Sequence, residues 1–222
     1  MFNKIKIWVN THKYSYAMLY MIIYLVTFFT LEAVMKPRYI VHCRLDDLIP
    51  FCEYMAIPYF SWLILFPGSL FFYMFYDKED FLNLCMLMFG GSVVCFAAYI
   101  IWPTGLNLRA DINEGTILGK LISILWAVDT PTNVCPSLHV STSTAIAAVT
   151  ARSSLMKKKP LASVLIIVWM IIICVSTVFV KQHSVIDVLL GVIVSVVFYY
   201  ITYHTDWRGL ISKTFLKIIL ED

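Results

Sequence analysis

The sequence predicts an all-α membrane protein: a six-transmembrane-helix bundle with a short re-entrant or interfacial helix before the fourth span. Three observations predict it. The 222 residues are 60% hydrophobic and 14% charged, whereas a soluble domain is nearer half apolar and a quarter charged. Apolar runs recur at close to the roughly 20 residues that cross a bilayer core. Six such runs with their connections use up the chain, which therefore reads as a single integral-membrane domain over residues 1–222. Disorder, a secreted disulfide scaffold and an ordinary cytosolic enzyme are excluded. The net charge of +3 is too small to point to a nucleic-acid partner.

The expected spans are Tyr14 to Val34, Tyr54 to Tyr76, Phe81 to Trp102, Ser137 to Ala151, Leu161 to Val180 and Ser184 to Tyr203. The first is too long for a signal-peptide core and no small-residue cleavage site follows it, so it is expected to stay as an anchor. The fourth is shorter and more polar. Its Ser141, Thr142, Ser143, Thr144, Ala145, Ala147 and Ala148 make a small-faced helix suited to close packing. Residues 77–80 form a tight polar hairpin and 152–160 a basic one. Residues 103–136 form a long loop in which Ile117 to Val128 is apolar but too short to span, the re-entrant or interfacial segment. Asp129-Thr130-Pro131-Thr132-Asn133 is a turn-rich string that bends this segment back toward Ser137. Asp129 and Asn133 are also available to touch a substrate.

Basic residues orient the chain. With six spans, 11 lysines and arginines share the side of the termini and 6 lie opposite, so both termini are expected in the cytoplasm and the 103–136 loop and 181–183 turn outside. The six cysteines make no metal pattern and no Cys-x-x-Cys occurs. Cys43 and Cys52 share a loop and are able to pair if it faces an oxidising compartment, but spacing alone fixes no disulfide. All six equally read as small apolar residues.

Two short strings carry the chemistry. In Lys181-Gln182-His183-Ser184-Val185-Ile186-Asp187, His183 and Asp187 are i, i+4 on one helix face. The carboxylate can fix the imidazole tautomer and leave the other nitrogen free as nucleophile or base; a structural His–Asp tie between helices fits the spacing equally well. In Cys135-Pro136-Ser137-Leu138-His139, Pro136 at a first helical position marks a helix start, an anion site. Ser137 adds a hydroxyl, and His139 is a candidate general acid; an N-cap with an interfacial histidine is the plainer reading. Arg109, after the third span, and Lys181 read singly as interfacial flanks. Together they bring two histidines, a carboxylate, a serine, an arginine and a lysine to one membrane face, the set that phosphoryl transfer through a phosphohistidine needs.

Pro136-Ser137-Leu138-His139 is similar to the Pro-Ser-x-His second motif of the type 2 phosphatidic acid phosphatase superfamily. Ser176-Thr177, five residues, His183, three residues and Asp187 are similar to its third motif, Ser-Arg-x5-His-x3-Asp. Thr177 in the Arg slot and Leu138 in the second motif resemble the inositol phosphorylceramide synthase branch. The first motif, Lys-x6-Arg-Pro, is degraded: Arg109 fits its Arg, but Trp102 stands for Lys and Ala110 for Pro. The motif region is 102–187. The resemblance implies a membrane lipid-phosphate phosphatase acting on a phosphomonoester or diphosphate at the extracytoplasmic face of the cell membrane. It implies His183 as nucleophile, Asp187 as its orienting partner and His139 as proton donor, with phosphate contacts from Arg109, Ser137 and Ser176. Lys181 is the candidate substitute for the missing Arg. Arg, Lys and helix N–H groups would supply the positive charge, so neither metal nor cofactor is expected, and the partners are a lipid phosphate substrate and the bilayer. The alternatives are a head-group phosphotransferase of the inositol phosphorylceramide synthase type and a non-catalytic lipid-binding membrane protein. A transporter would show repeat symmetry, which is absent from the sequence.

Overall fold

The computed structural model describes residues 2–221, with side chains from Ile7 onward. Helix α1 (Phe2–Thr11) and a 3-10 turn (Lys13–Met18) lead into α2 (Leu19–Val34). A two-residue strand β1 (Tyr39–Ile40), a short helix α3 (Arg44–Leu48) and a 3-10 turn (Glu53–Met55) follow, then α4 (Ala56–Tyr76) and α5 (Lys78–Ile101). After β2 (Thr104–Gly105) come α6 (Ile117–Val128), α7 (Leu138–Arg152), α8 (Ser154–Lys157), α9 (Pro160–Phe179), α10 (Val185–His204), α11 (Trp207–Ile211) and a closing 3-10 turn (Phe215–Leu220).

Among the described residues, five stretches are long and apolar enough to cross a membrane: Lys13–Val34, Glu53–Tyr76, Lys78–Ile101, Pro160–Phe179 and Val185–His204. Their outer faces expose large apolar side chains such as Ile22 and Val26 on α2, Ile64 on α4, Leu165 on α9 and Val196 on α10. In water so much contiguous apolar surface would drive aggregation; in a bilayer it is the solvated face. The expected fourth span differs in kind. α7 has 15 residues, about 22 Å at 1.5 Å per residue, and ten of them are buried. It is the core of the bundle, packed by α4, α5, α9 and α10. Its small side chains let those helices approach, and the hydroxyls of Thr142 and Thr150 find partners inside. Thr142 Oγ1 donates to the Leu138 carbonyl at 2.8 Å and accepts Trp62 Nε1–H at 2.9 Å, while Tyr73 and Thr150 hydroxyls meet at 3.1 Å.

The bundle has two distinct ends. At one, Lys13 pairs with Glu221 at 2.8 Å, Tyr14 Oη donates to the Met74 carbonyl, and Arg208 bonds Glu79 and Asn83. The first and last described segments therefore meet there. The third span begins earlier than the hydropathy predicts: the 77–80 hairpin is only Asp77, whose carboxylate caps α5 by accepting the Asp80 N–H at 3.0 Å.

The other end gathers the long connections. β1 and β2 pair in parallel, Tyr39 with Thr104 and Ile40 with Gly105. A side chain at Gly105 would lie 2.6 Å from Pro37 Cβ, so only glycine lets these loops close. Gly191 of α10 lies against the start of α7, where a Cβ would sit 2.7 Å from the Ser137 carbonyl. Cys43 and Cys52, which share this end, are free thiols.

Candidate active site

The site is built where α9 stops and α10 starts. Lys181 takes a left-handed backbone conformation, φ 57°, the turn that commonly ends a helix. The Thr177 carbonyl then accepts the N–H groups of Gln182 and His183 at 3.0 and 3.2 Å. Ser184 caps α10, its Oγ accepting the Ile186 N–H at 3.2 Å, and Asp187 closes a capping box by accepting the Ser184 N–H at 2.8 Å. The same Asp187 oxygen lies 3.5 Å from His183 Nδ1, an ion-pair distance too long for a formed hydrogen bond. Asp187 is fully buried and His183 nearly so. The Cys135 thiol, pushed up first by burial and then by the Asp187 carboxylate, stays protonated beside it.

His139 stands on the first turn of α7. Ser137, not Pro136, sets that start: it is the N-cap, its Oγ accepting the Val140 N–H at 3.3 Å. Proline therefore precedes the cap instead of taking the first helical position. The His139 ring packs at tilted angles against Trp62, centroids 4.1 Å apart, and Tyr59, 4.7 Å apart. Thr142 fixes the Trp62 indole, and Asp129 Oδ2 accepts the Tyr59 hydroxyl at 2.9 Å. The His139 and His183 rings meet edge to face, centroids 5.7 Å apart.

Both rings line the polar end of a cavity of about 630 Å³. Asp129, Asn133 and Gln182 share that end; the rest of the wall is apolar, Met21, Leu25 and Phe28 of α2 facing Phe60, Leu63 and Phe66 of α4. Burial pushes the Asp129 carboxyl up, against the opposing pull of the nearby His183 ring and the Tyr59 hydroxyl. Glu32 supports this end from behind, accepting the Thr130 N–H at 2.8 Å and the Thr130 hydroxyl. Asn133 Oδ1 is buried without a hydrogen-bond partner.

The other expected phosphate ligands lie elsewhere. Ser137 and Ser176 are fully buried, and the Ser176 hydroxyl donates to the Ile173 carbonyl. Arg109 donates to the Trp126 and Asp129 carbonyls at 2.8 and 2.6 Å and to Gln182 Oε1 at 3.2 Å, behind the cavity wall. Lys181 departs most from expectation. Its ammonium turns away from the cavity and donates to the Asp46 and Ile49 carbonyls at 2.9 and 2.6 Å. The left-handed backbone sends that side chain toward α3, where the last carbonyls of a short helix lack partners. Among the described residues no group of three or more His, Cys, Asp and Glu side chains is placed to hold a metal.

Four contributors had no motif to mark them. Tyr59 and Trp62 read in sequence as belt aromatics and Glu32 as part of a span. Asp46 sits in a loop with no periodicity; a lone acid pair before an apolar run was its only signal.

Residues 88–210 match the family model of the PAP2 superfamily, and the chain belongs to that superfamily. Its members are phosphatases or phosphotransferases. No curated protein and no solved structure matches the chain.

Proposed function

We propose that the protein hydrolyses a phosphomonoester or diphosphate of a lipid through a phosphohistidine at His183. The observation that carries this reading is the cavity itself: two histidines, one backed by a buried carboxylate, close the polar end of a channel whose other walls are apolar. Such a channel suits a hydrocarbon chain with a phosphate at its head. With Nδ1 toward Asp187, His183 Nε2 is the free nitrogen. It attacks phosphorus, a P–N bond forms as the P–O bond to the lipid breaks, and His139 gives its proton to the leaving oxygen. His139, now neutral, takes a proton from water, which attacks phosphorus and releases phosphate from His183. Asp187 stabilises the imidazolium formed along the way. Arg109 contributes positive charge from behind the wall, and Asp129 and Asn133 meet the group beside the phosphate. No step requires a metal or cofactor.

The topology in this reading is a multi-pass protein of the cell membrane with six crossings, α7 the shielded fourth, α6 interfacial, both termini cytoplasmic and the site outside, from the lysine and arginine count. A cysteine at Asn113 or Thr132 is expected to react with an impermeant thiol reagent on intact cells, and one at Ser154 only after lysis. Labelling of Ser154 from outside inverts the orientation.

A second reading, a head-group phosphotransferase, draws on one feature. Among the described residues no lysine or arginine lines the cavity, while Asp129 does. That lining favours a singly charged phosphodiester over a phosphomonoester. The experiment is turnover by purified protein of phosphatidate labelled in its phosphate, alone and with an alcohol acceptor, beside a diester lipid panel. Label in inorganic phosphate supports hydrolysis, label in a new lipid supports transfer, and no turnover of any lipid ends both.

A further inference from the structure

The turn that carries His183 is braced from outside by α3. Asp46 Oδ1 accepts the Val185 N–H at 2.8 Å; Oδ2 accepts the Ser184 hydroxyl at 2.7 Å and the Cys43 N–H at 2.7 Å. The Asp46 carbonyl takes the Lys181 ammonium. One residue, 2% exposed, thus grips the chain on both sides of His183. We propose that Asp46 is a positioning residue for His183: by holding the chain on both sides of it, Asp46 keeps the imidazole aligned with the Asp187 carboxylate.

The start of α10 presents the Ser184 N–H, the Ser184 hydroxyl and the Val185 N–H within reach of carboxylates. Buried donors seek acceptors, because an unmade bond there carries the full cost of desolvation. Asp187 Oδ2 already holds the Ser184 N–H while standing 3.5 Å from His183 Nδ1. Asp46 takes the other two. Without it, the Ser184 hydroxyl and Val185 N–H lose their acceptor, the turn loosens, and His183 Nδ1 is no longer held toward the Asp187 carboxylate, whose Oδ1 has no other hydrogen-bond partner among the described residues. A helix cap alone would not need both acids, since the capping box with Asp187 is complete without Asp46.

The proposal rests on His183 as the attacking group, and the test separates the two. Full-length protein labelled with 15N-histidine in detergent is read by NMR, the His183 signals assigned by their loss in His183→Ala. The expected wild-type state is the Nδ1–H tautomer, and Asp46→Asn and Ser184→Ala are expected to convert it to a mixture. With dioleoyl phosphatidate as probe, Asp46→Asn is expected to lower kcat about tenfold with KM within about twofold, since small misplacements of a reacting group are amplified in rate. Ser184→Ala, which leaves Asp46 two N–H donors, is expected to cost about threefold on the same grounds and carries the test if Asp46→Asn does not fold. An unchanged tautomer with unchanged kcat in both variants overturns the proposal. Full turnover in His183→Ala removes the nucleophile reading, and the tautomer then decides the role of Asp46 by itself.

Discussion

The two histidines of the site are held in opposite ways. His183 sits in a turn fixed by hydrogen bonds on every side: Thr177 from α9, Asp187 from α10, and Asp46 from α3. The His139 ring is held by tilted packing against Trp62 and Tyr59. Directional bonds fix the turn that carries a ring; tilted aromatic packing confines a ring without fixing the direction of its nitrogens. A nucleophile needs the first, because attack is in line and tolerates little error. A proton carrier that serves the leaving oxygen and then water needs the second. In the proposed mechanism the fixed turn suits the nucleophile and the less tightly directed ring suits the proton carrier.

The sharpest way to break the comparison is at His183. His183→Ala is expected to abolish turnover while expression survives, because no second group forms the covalent adduct. Asp187→Asn is expected to retain some activity but lose about 10³-fold or more, by analogy with the orienting carboxylate of hydrolytic triads. Phosphate release by purified variants measures both; a fully active His183→Ala protein ends the mechanism.

At His139 the expected loss is smaller and conditional. His139→Ala is expected to lower kcat roughly 10²–10⁴-fold on a lipid alkoxide, the usual range for a general acid. With a p-nitrophenyl phosphate ester, whose leaving group needs no proton, the burst of p-nitrophenol is expected to survive. Equal losses on both substrates would make His139 a structural residue.

The two acids behind these histidines sharpen the contrast through pH. Burial works to raise the Asp46 carboxyl but is outweighed by bonds from Val185, Ser184 and Cys43, which hold it below its ordinary 3.8. Its stabilisation is present above that value and lost as pH falls through the lowered folded pKa. Asp129 is raised instead, burial dominating. The fold is unburdened by Asp129 below about 3.8 and penalised as pH rises through its raised value. At pH 7, Asp46→Asn is expected to lower Tm and Asp129→Asn to raise it, each by a few degrees on the scale of about 2–4 °C per kcal/mol. The Asp129 difference is expected to close toward pH 3.8, and the Asp46 difference only at lower pH, as its lowered value is passed. Melting curves across that range check the signs, and Tm shifts of the same sign in both variants would sink the assignment.

How much of this was legible in sequence follows from what side chains a pattern can see. Apolar runs gave the long helices nearly to the residue, and α6 over Ile117–Val128, because lipid solvates whole faces and leaves the signal in composition. The small and hydroxylated residues of α7 announced close packing in the shorter, more polar fourth segment, and the structure gives the reason: a helix packed by four others needs little lipid-facing surface. The structure puts His139 on the first turn of α7, but His183 in the turn before α10 and not on the helix face that the i, i+4 spacing suggested, and the spacing could not show which way Lys181 points. Direction there depends on a left-handed backbone at one residue, and nothing in Val180-Lys181-Gln182 encodes it. Asp46, Glu32 and Tyr59 were invisible for a related reason. Each acts across more than 65 residues of chain, and no local period records such a contact.

Lys181 offers the smallest effect and the most discriminating one. The missing Arg of the third motif made it the candidate phosphate ligand, and in that role its loss would lower kcat far more than it raised KM. Its ammonium is instead held by the Asp46 and Ile49 carbonyls. Lys181→Met is therefore expected to leave kcat within about threefold and to cost about 1–2 kcal/mol of stability from the charge-assisted bonds, seen as a drop in Tm of several degrees. The backbone adds a second arm. A non-glycine residue at φ 57° carries a conformational cost of about 1–2 kcal/mol that glycine avoids. Lys181→Gly loses the same two bonds but sheds that cost, so its Tm is expected to fall between Lys181→Met and wild type. A phosphate ligand would give the opposite order of evidence, with both variants equally slow and near-normal melting, and that result would return Lys181 to the cavity.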